Sequence, residues 1–293
     1  MRNKKLALAA FCLNPILWAS FYVIGKSAIE QSSPLMFSTM ELLASVPAAL
    51  IILLACRKSI TRAAVRSGVC AGASLYAVIL LSASALALTS ATETAFFPAI
   101  NGILAAAITF AAKRERVFAA TWAGGAVAAL GVCVVLPVMR AHLAGNLLAL
   151  AAAAAYAGYI FVAEKVTQDA EQSQWVIFAV ELVVMAALGL AATSAARGWD
   201  FAPFGRAGMI WAVIYVGLAT TVVPTATSIL FQQSVKPVTV AFLYSLEPVW
   251  CAALAWAALG ERLPPLGYAG GACIVAGAVI HAIARLSPLA KPA

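Results

Sequence analysis

Charged residues are scarce in this sequence. Asp, Glu, Lys and Arg make up 10% of its 293 residues, whereas 64% are hydrophobic and the mean hydropathy is +0.97. Soluble globular domains carry about a quarter charged residues, so this composition excludes a soluble protein. The net charge of +8 is not gathered into a basic domain that could bind nucleic acid. We expect an integral membrane protein.

The motifs of common enzyme and ATPase classes are also missing. The sequence contains no HExxH, GxSxG or GxxxxGK[ST] pattern, which disfavours zinc hydrolysis, serine hydrolysis and direct use of ATP. Its two histidines, His142 and His281, have no second ligand at metal spacing, and its six cysteines include no CxxC pair. We therefore expect no enzyme activity, metal or cofactor, and we expect the cysteines to be small buried hydrophobes.

Apolar stretches recur along the whole chain at the length that crosses a bilayer, about 20 residues. They predict an all-α integral membrane protein with ten transmembrane helices, at residues 6–26, 35–56, 67–88, 93–112, 117–138, 144–165, 174–196, 207–230, 237–259 and 265–285. No part of the chain is left for a soluble domain.

The basic residues favour cytoplasmic termini. With ten spans and the N-terminus inside, most of the 19 Lys and Arg lie on the cytoplasmic side, and the exceptions are Lys26, Arg140, Arg197, Arg206 and Arg262. This distribution obeys the positive-inside rule. We expect a multi-pass protein of the bacterial inner membrane with both termini in the cytoplasm.

An internal repeat divides the chain into two halves. Residues 95–131 and 241–277 align without a gap at an offset of 146, and Asn101 in the first copy takes the place of Glu247 in the second. The identical positions of the copies include Ala95/Ala241, Phe96/Phe242, Glu115/Glu261, Arg116/Arg262, Gly124/Gly270, Gly125/Gly271 and Gly131/Gly277.

Each half contains five predicted spans, and an odd number forces the second half to enter the membrane upside down. We therefore predict two inverted five-helix repeats, residues 1–140 and 141–293. Inverted repeats are typical of secondary transporters, which bind substrate near the midplane between the halves. A duplication retained only for packing is the alternative.

Two stretches resemble a known family. The segment SVKPVTVAFLYSLEPVWCAALAWAALGERLPPLGYAGGACIVAGAVI looks like the closing part of EamA-type members of the drug/metabolite transporter superfamily, with its Glu-Pro, Gly-Glu-Arg and late glycines. LWASFYVIGKSAIEQSSP is similar to that family's opening signature, with Trp18, Lys26 and Pro34 at familiar spacing. The resemblance implies a ten-helix bundle, often dimeric, in which the first four helices of each half line a cavity and the fifth packs outside.

One departure from the family pattern concerns the second span. That span commonly carries an arginine where this chain has Glu41. Any inference about substrate that depends on the arginine does not apply here.

Four glutamates lie in or at the mouth of apolar spans, namely Glu41, Glu93, Glu181 and Glu247. Because a carboxylate in hydrocarbon costs a few kcal/mol, about 3 at the helix centre, such residues usually face a cavity or the bundle interior. Burial favours the neutral form of a carboxylate, so it can bind a proton or pair with a cationic substrate. Glu247 is the deepest, although its Glu-Pro pair could instead satisfy backbone groups freed by Pro248.

Aromatic residues accompany these acids at helical spacing. Aromatic faces beside a carboxylate suit an organic cation or an amino group, although Trp and Tyr also anchor helices at membrane interfaces. We expect substrate or a proton to be bound by Glu247, Glu41, Glu181, Tyr244, Trp18, Tyr22, Asn101 and Tyr159. Prolines inside spans can act as hinges, and we assign this role to Pro15, Pro98, Pro224 and Pro248.

Small residues predict close helix contacts at Gly68, Gly72, Gly124, Gly131, Gly267, Gly271 and Gly277. The pattern leaves open whether they join two protomers or helices of one chain. The sequence as a whole predicts a secondary transporter that moves small metabolites, such as amino acids or amphipathic and cationic compounds, by alternating access, with export implied by the resemblance. An intramembrane enzyme and a structural membrane protein are the alternatives. The expected partners are a small-molecule substrate, the lipid bilayer and, as an open question, a second copy of the chain.

Overall fold

A computed structural model describes residues 4–135, 142–169 and 171–286, so Arg140 lies outside the described residues. The regular elements in these ranges are helices. The α-helices are α1 (Lys4–Gln31), α2 (Pro34–Ala55), α3 (Arg62–Leu88), α4 (Ala91–Phe96), α5 (Asn101–Lys113), α6 (Ala119–Val135), α7 (Leu143–Val166), α8 (Gln174–Ala195), α9 (Ala207–Tyr215), α10 (Val223–Phe231), α11 (Pro237–Tyr244), α12 (Glu247–Leu259) and α13 (Pro265–Leu286).

Nine helical stretches within the described residues are long and apolar enough to cross a membrane. Six of them are single helices. The other three combine two helices each, in Ala91–Lys113, Ala207–Ser234 and Pro237–Leu259. Helix α6 is apolar but shorter, with 17 residues. The prediction of an all-α, multi-pass membrane protein is confirmed.

Helix ends follow from short polar signals between the apolar runs. Ser33, Thr61 and Ser90 each accept a hydrogen bond from a backbone N–H in the first turn of α2, α3 and α4, as N-cap residues do. The Lys26 ammonium donates to the carbonyl oxygens of Leu86 (3.0 Å) and Thr89 (2.7 Å) at the end of α3. Lys26 therefore stabilises a helix C-terminus.

Two spans are interrupted at equivalent places in the two halves. A 3-10 segment, Phe97–Ile100, separates α4 from α5, and Ser245 and Leu246 separate α11 from α12. The helix resumes at Asn101 in the first half and at Glu247 in the second, and each resumed helix has 13 residues. The alignment of Asn101 with Glu247 is thus preserved in the backbone, and Pro98 and Pro248 lie at the two interruptions.

A third interruption exists only in the second half. Residues Val216–Val222 form a π-helical segment between α9 and α10, and Pro224 follows it. Helices α1 and α2 continue through Pro15 and Pro47. Single π-turns inside helices are often associated with function.

The last helices of the two halves, α6 and α13, pack together through reciprocal glycines. A Cβ atom at Gly124 would lie 2.5 Å from the carbonyl oxygen of Gly277, and one at Gly131 would lie 2.6 Å from that of Gly270. Gly270 and Gly277 are the repeat equivalents of Gly124 and Gly131. The earlier glycine of each helix thus contacts the later glycine of the other helix, so the two helices pack antiparallel. These glycines therefore join helices of one chain.

Two details of the sequence reading were wrong. No described atom lies within 4 Å of a Cβ built at Gly271, so this residue makes no close helix contact. Among the cysteines only Cys251 is buried, whereas Cys12, Cys70 and Cys133 are exposed on the outside of the bundle. A small apolar side chain can face lipid as readily as a protein core, so burial does not follow from apolar character in a membrane protein.

Candidate functional site

A small cavity lies where helices from the two halves meet. Its volume is about 10 Å³, which is about the space that one water molecule needs. Its walls come from α1, α3, the α4–α5 span, α7 and α12, and the lining residues are Trp18, Tyr22, Val78, Ser82, Thr94, Pro98, Ala149, Ala152, Ala153, Tyr156 and Glu247. The cavity therefore has no room for an organic substrate in this structure.

Glu247 provides the only carboxylate among the described lining residues. Its side chain is buried, and its Oε2 atom accepts a hydrogen bond from the Tyr22 hydroxyl at 3.3 Å. Oε1 is also buried, and no described residue hydrogen-bonds to it. Leaving a buried acceptor without a partner costs free energy. Glu247 can therefore take up a proton or the positive group of a substrate at Oε1.

Trp18 supplies a second unpartnered group to the same cavity. The indole is 6% exposed, and its Nε1 donor has no acceptor in the described part of the chain. Its ring centroid lies 5.5 Å from that of Tyr156. Because Trp18 and Tyr244 are both buried in the helix core, the alternative that they anchor the protein at an interface does not apply.

A cluster of tyrosines continues from the cavity. The Tyr244 hydroxyl accepts a hydrogen bond from Asn14 Nδ2 at 2.7 Å, and its ring lies 5.2 Å from that of Tyr156. Tyr156 stacks on Tyr159 at 5.9 Å with an interplanar angle of 8°. Tyr159 donates to Glu181 Oε1 at 2.9 Å. These contacts connect the cavity to Glu181 through buried aromatic side chains.

The structure thus brings most of the predicted site residues together. Trp18, Tyr22 and Glu247 line the cavity with Pro98, while Tyr244, Tyr159 and Glu181 form the adjoining cluster. Glu41 and Asn101 are buried but do not line the cavity. Both side-chain polar atoms of Asn101 lack partners within the described residues.

Glu93, the remaining glutamate in an apolar span, lies apart from this site. It is at the start of α4 and pairs with His142 Nδ1 at 3.1 Å. The pairing with a half-exposed histidine accounts for Glu93 at this position, so no role in the cavity is needed to explain it.

The predicted binding residues leave out four polar or aromatic members of the site, namely Asn14, Ser82, Thr94 and Tyr156. Asn14 could have been found, because it stands four residues before Trp18 and eight before Tyr22 and so shares their face of α1. Ser82 and Thr94 give no comparable signal, since hydroxyl residues in apolar helices commonly bond to their own backbone.

The chain resembles known transporters over both halves. A model of the EamA-like transporter family matches residues 5–136 and 143–283. A search against curated proteins returns no match. One crystal structure superposes with a TM-score of 0.76 over 96% of this chain and 98% of that chain, at 17% sequence identity, which shows a shared fold. Because the family model covers both halves, the chain belongs to the EamA-like transporter family.

Proposed function

We propose that the chain is a secondary transporter that exports small organic compounds bearing a positive charge, such as amino acids or amphipathic cations, by alternating access. The observation that carries this proposal is Glu247 Oε1, a buried and unpartnered acceptor in a cavity between the two halves. The family consists of transporters rather than enzymes, which supports transport over an intramembrane reaction.

The chemistry of the cavity favours a cationic group. None of its described lining residues is basic, so a phosphate or other anion has no counter-ion there. Glu247 can pair with an ammonium group, and the faces of Trp18, Tyr22 and Tyr156 can surround it. The free indole N–H of Trp18 suits an acceptor atom on the same molecule. An amino acid or an amine that carries an oxygen meets both requirements.

Alternating access is supported by the relation between the halves. The antiparallel α6–α13 pair and the equivalent interruptions at Asn101 and Glu247 both fit two inverted repeats, residues 1–140 and 141–293. We assign α6 as the tenth span, since 17 residues of helix extend about 25 Å. A cavity for one water must widen to admit a substrate, and Pro98 and Pro248 mark helix interruptions beside it.

We propose that both termini lie in the cytoplasm of a bacterial cell and the protein in its inner membrane, and the distribution of basic residues supports this orientation. A cysteine-free variant can test this. A single cysteine introduced as Asp200→Cys, in an exposed connection, should react with a membrane-impermeant thiol reagent added outside intact cells. Glu171→Cys, in another exposed connection, should react only after permeabilisation, and the reverse pattern would contradict the orientation. The homodimer stays a prediction.

A ligand screen by thermal unfolding tests the function. A compound that binds only the folded protein raises its Tm. Phenylalanine or tetraethylammonium should stabilise the purified protein, whereas citrate and inorganic phosphate should not. Stabilisation by the anions alone would overturn the proposed substrate class.

A further inference from the structure

Glu41 and Glu181 occupy the same position in the two halves. Helices α2 and α8 each have 22 residues, and each glutamate lies seven residues after the first residue of its helix and directly before a leucine. The side chains are 1% and 0% exposed. The offset between them is 140 residues, and the surrounding sequence shares so little else that the equivalence emerges only from the helix boundaries.

The contacts of the two glutamates are reciprocal. A Cβ atom built at Gly217 would lie 2.4 Å from the Glu41 carbonyl oxygen, and one at Gly72 would lie 2.8 Å from the Glu181 carbonyl oxygen. Gly217 belongs to the third span of the second half, and Gly72 to the third span of the first. The backbone of each glutamate therefore packs against a glycine in the third span of the opposite half. The two contacts are equivalent under the relation between the halves.

The two acids lie at opposite depths in the bundle. Helices α2 and α8 run antiparallel, because Thr39 near the start of α2 hydrogen-bonds with Thr193 near the end of α8 at 2.7 Å. With a rise of about 1.5 Å per residue, each glutamate lies about 10 Å from the start of its own helix. Because the helices run antiparallel, their starts are on opposite faces of the bundle.

Neither acid has a cation beside it within the described ranges. Helix α2 packs against α1, α3, α8, α9 and the π-helical segment, and none of them presents a charged or titratable group in contact with the Glu41 carboxyl. Helix α8 packs against α2, α3 and α10, and the one titratable group facing Glu181 is the Tyr159 hydroxyl from α7. The Oε2 atoms of both acids lack partners in the described structure. A buried charge without a counter-ion costs several kcal/mol, and binding a proton removes that cost.

The two sites differ in their connection to the cavity. From Glu181, a path of polar contacts runs through Tyr159, Ser228 and Tyr244, which adjoins Tyr156 in the cavity wall. The groups facing Glu247 itself are Tyr22, Tyr156, Tyr244 and Cys251. Glu41 has no such path and lies instead against the π-helical segment Val216–Val222. When two inverted halves adopt different conformations, equivalent residues in them have different surroundings. The two glutamates show such a difference.

We propose that Glu41 and Glu181 are a symmetry-related pair of proton sites, one for each face of the membrane, that couple export to proton entry. This inference rests on the proposed function. A proton binds to Glu41 from outside and passes to Glu247 in a second conformation, in which Glu41 gains the path that Glu181 has here. At Glu247 it displaces the cationic group of the substrate. A proton then leaves through Glu181 to the inside, so one proton enters for each cation exported and net charge is conserved.

Infrared difference spectroscopy of the protein in lipid, titrated with acid and base, tests the sites without a substrate. The wild type should show protonated carboxylic C=O bands, one of which is lost in Glu41→Gln and another in Glu181→Gln. The matched control is Glu30→Gln, an exposed acid paired with Lys26, which should leave both bands unchanged. If neither Gln variant alters the spectrum, the two acids are not proton sites.

Vesicles with the membrane potential clamped at zero test the coupling with tetraethylammonium and phenylalanine as probes, since phenylalanine carries no net charge and its exchange for a proton moves charge. A gradient of about one pH unit should drive an accumulation ratio of about tenfold by one-for-one exchange with a proton. Glu41→Gln and Glu181→Gln should lose this accumulation, whereas the exposed control Glu30→Gln should keep it. Gradient-driven accumulation by either variant at the wild-type ratio would overturn the coupling. If the wild type moves neither probe, it is the proposed function that fails, and the infrared result decides the proton sites on its own.

Discussion

At the scale of single residues, the site is defined by polar atoms that burial has left without partners. Glu247 Oε1 is an acceptor and Trp18 Nε1 a donor, and both residues line one cavity. Native proteins pair nearly all buried polar groups, so such exceptions point to a group that is bound in another state. The repeat supports a specific role for the carboxylate of Glu247, because the equivalent position in the first half holds the neutral Asn101.

Trp18→Phe tests the donor. The substitution keeps an aromatic ring but removes the indole N–H, and one hydrogen bond is worth about 1 kcal/mol, so affinity for a stabilising amine should fall about fivefold. Thermal shift titrations of the purified variant measure this, and its Tm without ligand should change little.

Trp256→Phe is the matched control, because Trp256 is 62% exposed on the outside of the bundle. It should bind the amine as the wild type does. Equal affinity in Trp18→Phe and Trp256→Phe would remove Trp18 from the binding site.

Sequence alone could identify Glu247 and Trp18, since a carboxylate beside a proline and an indole in mid-span are both costly in lipid. It could not show which acids share a site. Glu41 and Glu247 were both assigned to the site from the sequence, yet Glu247 lines the cavity and Glu41 does not. The difference between the two acids depends on which helices come into contact. The spacing of residues along one helix does not predict those contacts.

At the scale of helices, glycines decide how closely the elements approach. The α6–α13 contact depends on backbone atoms meeting at Gly124, Gly131, Gly270 and Gly277. A backbone carbonyl cannot rotate away from an added methyl group as a flexible side chain can. Helix separation must therefore increase if any of these glycines is enlarged.

Gly124→Ala should destabilise the protein, because its Cβ atom would lie 2.5 Å from the Gly277 carbonyl oxygen. Overpacking of this kind costs about 1–3 kcal/mol. Gly271→Ala is the control within the same packed pair, since no described atom would lie within 4 Å of its Cβ. Alanine favours a helix over glycine, so Gly271→Ala should keep or raise the Tm, whereas Gly124→Ala should lower it. Equal melting temperatures would contradict the close contact.

The sequence predicted the helices well and their interruptions only in part. Long apolar runs give the spans, and Pro98, Pro224 and Pro248 indicate where helices are disturbed. The π-helical segment Val216–Val222 was not predictable, because it contains no proline and its threonines occur equally in regular helices. The hinge role assigned to Pro15 stays a prediction, since α1 continues through this residue.

At the scale of the whole molecule, helices of two related halves line a site that is too small for a substrate in this structure. The gapless repeat predicted the duplication, and the matched starts of α5 and α12 agree with it. The volume of the cavity and the equivalence of Glu41 with Glu181 required the packed structure. Both depend on how the second half lies against the first.

Transport by Glu247→Gln in reconstituted vesicles tests the central claim most directly. The amide keeps the shape and hydrogen bonding of the side chain but cannot change its charge. With tetraethylammonium or phenylalanine as the probe, transport should vary with pH in the wild type and should be lost, or become independent of pH, in the variant, while folding and insertion stay normal. Transport by Glu247→Gln at the wild-type rate with an unchanged pH profile would contradict the account and leave Glu247 with a structural role.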